Sequence, residues 1–393
     1  MPAACGASAA SAARLFFPAD ASFPLPAERQ SNRLRKTLSE IGGRCEFRDG
    51  VDPLKTLGIR TSFKTIERVS ERVGAEVARD KFGPLARAGA PEEAPANAAE
   101  LLVLEGDGLR VRELADTADT AGADTEDRLS GAVDEVSEAD RANGWREAKV
   151  GVVARVRPGW TNDEGEYHEP ETLVQTYVGT MEDINSFAEK LRAEAERRGA
   201  LKAKVVIALS DAGHGLPNMW EATFGDVIVV WVIDFYHVSS RLAECANAVL
   251  EGSDARKLCH RWKSMLYKGQ AGKLLRELIR RAEEFADRPE RASDLPEESP
   301  GRILWEHALY IERYQYHMRY DEYRAKGWPI ASGHVEAFAK HIGTRMKAAS
   351  KRWKPVVGSE AMVNLLADQA SQDGRWQRRW PDDPVPLEKL GST

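Results

Sequence analysis

Three carboxylates stand where a fold could bring them together. Asp107 closes the apolar run LLVLEGDG (Leu101 to Gly108), Asp211 closes KAKVVIALSD (202 to 211), and Glu336 falls in the first turn of the helical pattern GHVEAFAKHIGTRMKAAS (333 to 350). If the two Asp end neighbouring strands and the Glu comes from a helix crossing the same face, their oxygens suit two hard divalent cations, Mg²⁺ or Mn²⁺, about 3.5 to 4 Å apart. Such a pair activates an oxygen nucleophile and stabilises the leaving oxygen of a phosphodiester. The plainer readings are a turn at Asp107-Gly108 and a helix N-cap at Asp211. The order of the surrounding elements decides between them.

That order is strand, strand, strand, helix, strand, short helix, strand, helix. The strands are expected at 101 to 108, 148 to 156, 172 to 180, 202 to 211 and 226 to 234; helices are expected at 182 to 199, 217 to 224 and 235 to 250. Three closely linked strands followed by two reached through helical crossovers predict an α/β fold: a ribonuclease H-like mixed five-stranded sheet. Residues 251–328 read as an all-helical insertion, 329–354 as the last catalytic helix, and 355–393 as a basic, aromatic tail. Residues 1–24 read as disordered, and 25–90 as a helical N-terminal region with one helix over 27 to 41 stopped by Gly42-Gly43. Within it, PLKTLGIRTSFKTIERVSERVG (Pro53 to Gly74) has helix-turn-helix spacing, with Thr61 or Ser62 as N-cap and Ile66, Val69 and Val73 facing inward.

The chain has 393 residues, is 42% apolar and 30% charged, and carries a net charge of −6. That composition excludes a disordered chain, and no run reaches the roughly 18 apolar residues of a membrane span. The start lacks a basic segment followed by an apolar one, so a cytoplasmic protein is expected, nucleoid-associated if DNA is its partner. Cys5, Cys45, Cys245 and Cys259 form no C-x-x-C pair, which argues for free thiols over disulfides or a zinc site. Charge is segregated: residues 116–140 hold nine acids and one base, Arg128, within an acidic loop spanning 113–144, whereas 337–380 hold nine bases against three acids. The basic run Lys340, Arg345, Lys347, Lys351, Arg352 and Lys354 extends from the helix of Glu336 and would neutralise DNA phosphates.

Further motifs make the pattern specific. They are Glu105-Gly-Asp107-Gly108, Trp145-Arg-Glu-Ala-Lys149-Val-Gly151, Tyr177-Val-Gly179, Ser210-Asp211-Ala-Gly213, Val232-Ile-Asp234-Phe-Tyr-His237, Ile330-Ala-Ser-Gly333-His-Val-Glu336, and Arg345-Met-Lys347 followed by Trp353. Over roughly residues 50 to 385 the chain resembles the DDE insertion-sequence transposases of the ISKra type, relatives of the Mutator-like group with a ribonuclease H-like catalytic core. The family commonly has Asp-Gly-Ala and Gly-Ser-Gly where this chain has Asp211-Ala212-Gly213 and Ala331-Ser332-Gly333. Many relatives also carry a cysteine-rich N-terminal region that this sequence does not show. The resemblance implies that Asp107, Asp211 and Glu336 are the catalytic, metal-binding triad for two Mg²⁺ or Mn²⁺ ions, and that Asp234 and His237 are the D-x-x-H signature. It implies DNA as partner, both transposon ends and target, a homo-oligomer on DNA, and metal-dependent strand cleavage and strand transfer. Two alternatives are an inactive or domesticated DNA-binding descendant and a ribonuclease H-like nuclease without strand transfer.

Some features have a plainer role beside the functional one. Asp234 precedes a helix and suits an N-cap. Tyr310, Tyr314, His317 and Tyr320 have the spacing of one helix face, which favours packing within the insertion over stacking on unpaired bases.

Overall fold

The computed structural model describes residues 30–82, 101–113, 144–164, 166–213, 215–347, 353–354 and 357–380. The expected disordered N-terminus, most of the acidic loop, His214, Lys351 and Arg352 lie outside them.

Three helices open the described chain: α1 (Asn32–Arg44), α2 (Val51–Thr56) and α3 (Phe63–Phe82). Ser31 caps α1, its hydroxyl accepting from the Leu34 amide, and Ser62 accepts from the Thr65 amide at the start of α3. Gly42 and Gly43 do not stop α1. They lie inside it because a Cβ at Gly42 would meet the Ser70 hydroxyl at 2.0 Å and one at Gly43 would meet the Gln369 amide oxygen at 2.1 Å. Close helix contact, rather than termination, explains the pair.

The sheet contains β1 (Leu101–Arg112), β2 (Trp145–Arg157), β5 (Glu171–Thr180), β6 (Val205–Ser210) and β7 (Val230–Ile233); a two-residue hairpin pair, β3 (Trp160–Thr161) and β4 (Tyr167–His168), sits between β2 and β5. Its strand order is β5-β2-β1-β6-β7. The first three strands pair antiparallel, while β6 pairs parallel to β1 and β7 pairs parallel to β6. This is the ribonuclease H-like connectivity, and the parallel steps are made through α4 (Ile184–Arg197) and α5 (Leu216–Phe224). Asp183 caps α4, its carboxylate accepting from the Ser186 amide at 2.8 Å.

Alternation along the strands divides the core into two layers. Leu102, Leu104, Val206 and Ala208 face α4 and α5, packing with Phe187, Leu191, Trp220 and Phe224. Leu101, Val103, Leu109, Val111, Ile207 and Leu209 join the larger layer on the opposite face. That layer includes α6 (Phe235–Val249), α7 (Gly252–Tyr267), α8 (Ala271–Ala282), α9 (Pro300–Tyr314), α10 (Tyr320–Ala325), α11 (Gly333–Met346) and α12 (Val357–Ala370). The short α13 (Arg375–Arg378) follows. The N-terminal helices share the same layer through Leu38, Leu54, Ile66, Val69, Val73 and Val77.

Strand β1 does not end at Asp107-Gly108 as the sequence suggested but continues to Arg112, because its pairing with β2 runs on to Arg112 opposite Trp145. Two further segments differ from the sequence reading. Residues 357–370, read as part of a tail, form α12, which is buried nearly all round. It packs so closely on α3 that a Cβ at Gly74 would meet the Ala361 carbonyl oxygen at 1.9 Å. The stripe from Tyr310 to Tyr320 is not one helix face, because α9 ends at Tyr314 and a 3₁₀ turn carries His317. Its members instead pack on β7 and α6: Tyr314 and His317 lie against Trp231, and the Tyr320 hydroxyl donates to the Ile233 carbonyl at 2.8 Å.

Candidate active site

The parallel register fixes where the two Asp lie. Each β1 residue from Leu101 to Glu105 faces the β6 residue numbered 104 higher, ending at Glu105 opposite Leu209. Two further residues along each chain bring Asp107 and Asp211 to the same level. Asp107 lies on the odd-numbered face of β1, which with Leu101 and Val103 points into the larger layer, and Asp211, the first residue beyond β6, continues the alternation of Ile207 and Leu209. Ser210, between them in parity, points the other way, its hydroxyl accepting from the indoles of Trp220 and Trp231. Asp107 and Asp211 are each half-buried. Asp107 accepts from the Gly108 amide at 2.7 Å and Asp211 from the Gly213 amide at 3.0 Å.

The helix carrying Glu336 crosses this face. Val335, Phe338, Ile342 and Met346 of α11 are buried in the same layer as the odd residues of β1. Its N-terminus is fastened by two buried carboxylates. Glu105, 1% exposed and two residues before Asp107, lies 2.8 Å from His334 Nδ1 and accepts from the Val335 amide at 2.7 Å. The bond to Glu105 raises the His334 pKa, outweighing burial. The other ring nitrogen, Nε2, is 2.7 Å from the Thr172 hydroxyl on β5. Asp234 accepts from the His237 amide at 2.8 Å, capping α6, and from the Ser332 hydroxyl at 2.6 Å and the Ser332 amide. Strand β1 and the start of α6 thus grip Ser332 to Val335, the turn that launches Glu336. Unsatisfied amides at a helix start make this an effective place for carboxylates.

The Glu336 carboxylate is turned outward, half-exposed, with Lys340 Nζ at 2.7 Å. Among the described residues no three His, Cys, Asp or Glu side chains are gathered closely enough to hold a metal ion. The structure therefore brings Asp107 and Asp211 to one level of one face and anchors the backbone of Glu336 above that strand, leaving its carboxylate on Lys340. Hard oxygen donors on a half-buried face suit Mg²⁺ or Mn²⁺. A third ligand from Glu336 requires its carboxylate to leave Lys340, an exposed pairing worth little.

The remaining predicted residues separate. Asp234 is structural in its contacts, and the His237 imidazole is exposed at the start of α6. Arg345 must be removed from the basic run. It is 4% exposed, donates from Nε to the Gly42 carbonyl at 2.7 Å, and stacks between Phe47 and Trp353. Burial lowers its pKa to about 10. Lys354 is exposed but paired with Glu67 at 2.9 Å and Glu71 at 3.6 Å on α3, and Lys340 is paired with Glu336. Lys347 is exposed.

Sequence reasoning missed the anchoring roles of Glu105, Ser332 and His334. A signal existed in Glu105, an acid inside an otherwise apolar strand, because such a charge is buried only when it is paired.

No family model matches the sequence, and no curated protein matches it. Among solved structures, the Drosophila P element transposase strand transfer complex is similar with a TM-score of 0.36 and 11% identity, over 88% of this chain and 95% of that chain. Among the described residues no helix is long and apolar enough to cross a membrane.

Proposed function

We propose that this chain is a DNA transposase in which Asp107, Asp211 and Glu336 form a metal-binding triad for strand cleavage and strand transfer. The observation that supports the reading most is the level placement of Asp107 and Asp211 on one face of neighbouring parallel strands, beneath a helix whose first turn carries Glu336. The motif resemblance supplies the substrate, DNA, and the strand-transfer step. Divalent cations, when bound, supply Lewis-acid charge at the scissile phosphodiester. The protein's own contribution is orientation. Glu105 and Asp234 hold the first turn of α11 in place, and Asp107 and Asp211 would hold the cations at the reacting phosphate.

The test uses DNA from the flanks of the coding region, where a transposase has its inverted terminal repeats. Gel-shift and strand-cleavage assays are run on one preparation of Glu336→Gln with the same end sequence. The expected outcome is a folded protein that binds within a few-fold of the parent and does not nick in Mg²⁺ or Mn²⁺, since the amide keeps the shape and loses the charge. Cleavage near the parental rate removes Glu336 from the triad. Cleavage without joining of the ends to target DNA favours a nuclease instead.

A further inference from the structure

A cationic side chain lies beside the candidate face without an acid to neutralise it. Arg241 is in α6, one turn beyond His237, and its guanidinium carbon sits 4.4 Å from the centre of the Tyr310 ring. Among the described residues it makes no salt bridge, although it is half-buried and most arginines of this chain in comparable positions are paired. Arg192, for example, holds Asp226 and Glu196, and Arg375 holds Glu194 and Asp373. The platform beneath it reaches the candidate face. The Tyr310 hydroxyl is buried against the backbone of Ala212, the residue after Asp211. Burial raises its pKa, Arg241 opposes that, and the Asp211 carboxylate adds to it, so both charges act on this hydroxyl. Ala212 packs against the same layer as Tyr310 and Tyr314.

A planar guanidinium held over an aromatic ring keeps N–H groups available at its edge, which suits a phosphate oxygen better than a mobile ammonium would. A cation without a salt bridge, stacked on a ring that also feels the Asp211 carboxylate, is what a polyanionic ligand requires there. The carboxylates alone would repel a phosphodiester, whereas the arginine offers it a counter-charge and a fixed hydrogen-bond edge.

We infer that Arg241, stacked on Tyr310 beside Asp211, is a phosphate-binding residue that holds a phosphodiester of the nucleic-acid strand against the Asp107–Asp211 face. The inference rests on the reading given under Proposed function and names a contact that the triad and the basic run do not include. Arg241 acts as a binding group, and its loss removes one phosphate contact.

The experiment measures binding of the full chain to a 30-base-pair duplex of arbitrary sequence across a salt series. Arg241→Met keeps apolar cover on Tyr310 and removes the charge; Arg241→Lys keeps the charge. The expected result is a log–log salt slope shallower by about 0.9 in the Met variant, the share of one phosphate, and near-parental in the Lys variant. Thermal melting of each variant accompanies the titration. If the Met variant does not fold, Arg241→Gln, which retains a planar end over the ring, is read in its place with the same expected loss. A parental slope in a folded charge-free variant overturns the inference while leaving the transposase reading intact. Absence of DNA binding by the parent overturns that reading itself.

Discussion

Replacing Glu105 with Ala should loosen the turn that carries Glu336 and cost the fold measurably. The Glu105 carboxylate is 1% exposed and receives the Val335 amide at 2.7 Å and His334 Nδ1 at 2.8 Å. A hydrogen bond to a charged group contributes about 1.5–3 kcal/mol, and a buried donor left without a partner costs about 1–3 kcal/mol. Relief from burying a charge offsets part of this, so the net loss for Glu105→Ala is about 3 kcal/mol. Glu105→Gln keeps an acceptor for Val335 and should cost about 1 kcal/mol. The two variants also separate by pH. The folded His334 pKa is raised by Glu105 above its ordinary value of about 6.5, so its contribution is fully present below about 6.5 and is lost as pH rises through the folded value. Urea unfolding at pH 5.5 and pH 8.5 reads both effects. The Ala variant should lose more stability relative to the parent at the lower pH, and the Gln variant should lack the parent's pH-dependent component from this pair. A loss below about 1 kcal/mol for Ala at both pH values would refute the idea that Glu105 fastens the last helix.

Other outcomes follow from the same geometry. Arg345→Ala should destabilise by about 2–4 kcal/mol, because it removes packing on Phe47 and Trp353 and leaves the Gly42 carbonyl unpaired, while the salt slope of DNA binding stays parental; equilibrium unfolding and the salt titration check the two halves. Gly74→Ala should cost about 2–3 kcal/mol despite the better helix propensity of Ala, since the added Cβ meets the Ala361 carbonyl at 1.9 Å, and denaturant melts will show a lowered midpoint. Lys81 is buried, its pKa lowered by burial to about 8 from 10.5 despite Asp368 at 2.8 Å. Its depressed folded value makes its contribution to stability rise with pH between about 8 and 10.5, and Lys81→Met should flatten the parent's unfolding profile over that window.

Much of the sheet was legible because its signal is local. Apolar runs ending in Asp-Gly, Ser-Asp and Ile-Asp marked β1, β6 and β7, and Asp234 announced the N-cap of α6 that the structure contains. The third dimension was less legible. Helix α12 hides in sequence because a helix buried all round lacks the polar face that gives periodicity, and basic residues flank it. Gly42 and Gly43 were misread as a stop since glycine serves termination and close approach equally, and only the neighbouring Ser70 and Gln369 distinguish them. Arg345 looked like a member of a surface run, but its place on the buried side of α11 is set by Trp353 nearby and by Gly42 and Phe47, some three hundred residues away in the chain. For the candidate site, Asp211 at the end of β6 was readable, but Asp107 lies inside β1 rather than at its end, and the grip of Glu105 on His334 and Val335 joins residues 229 and 230 apart.

The central claim is that Asp107 and Asp211 together hold a divalent cation on one face of the sheet. Mn²⁺ titration of the full chain, followed by loss of the free-ion electron paramagnetic resonance signal, tests it without any knowledge of the DNA ends. The account predicts saturable binding by the parent, weakened by about tenfold or more in Asp107→Asn and in Asp211→Asn, with both variants still folded. Parental Mn²⁺ affinity in the folded Asp107→Asn/Asp211→Asn double variant would contradict it.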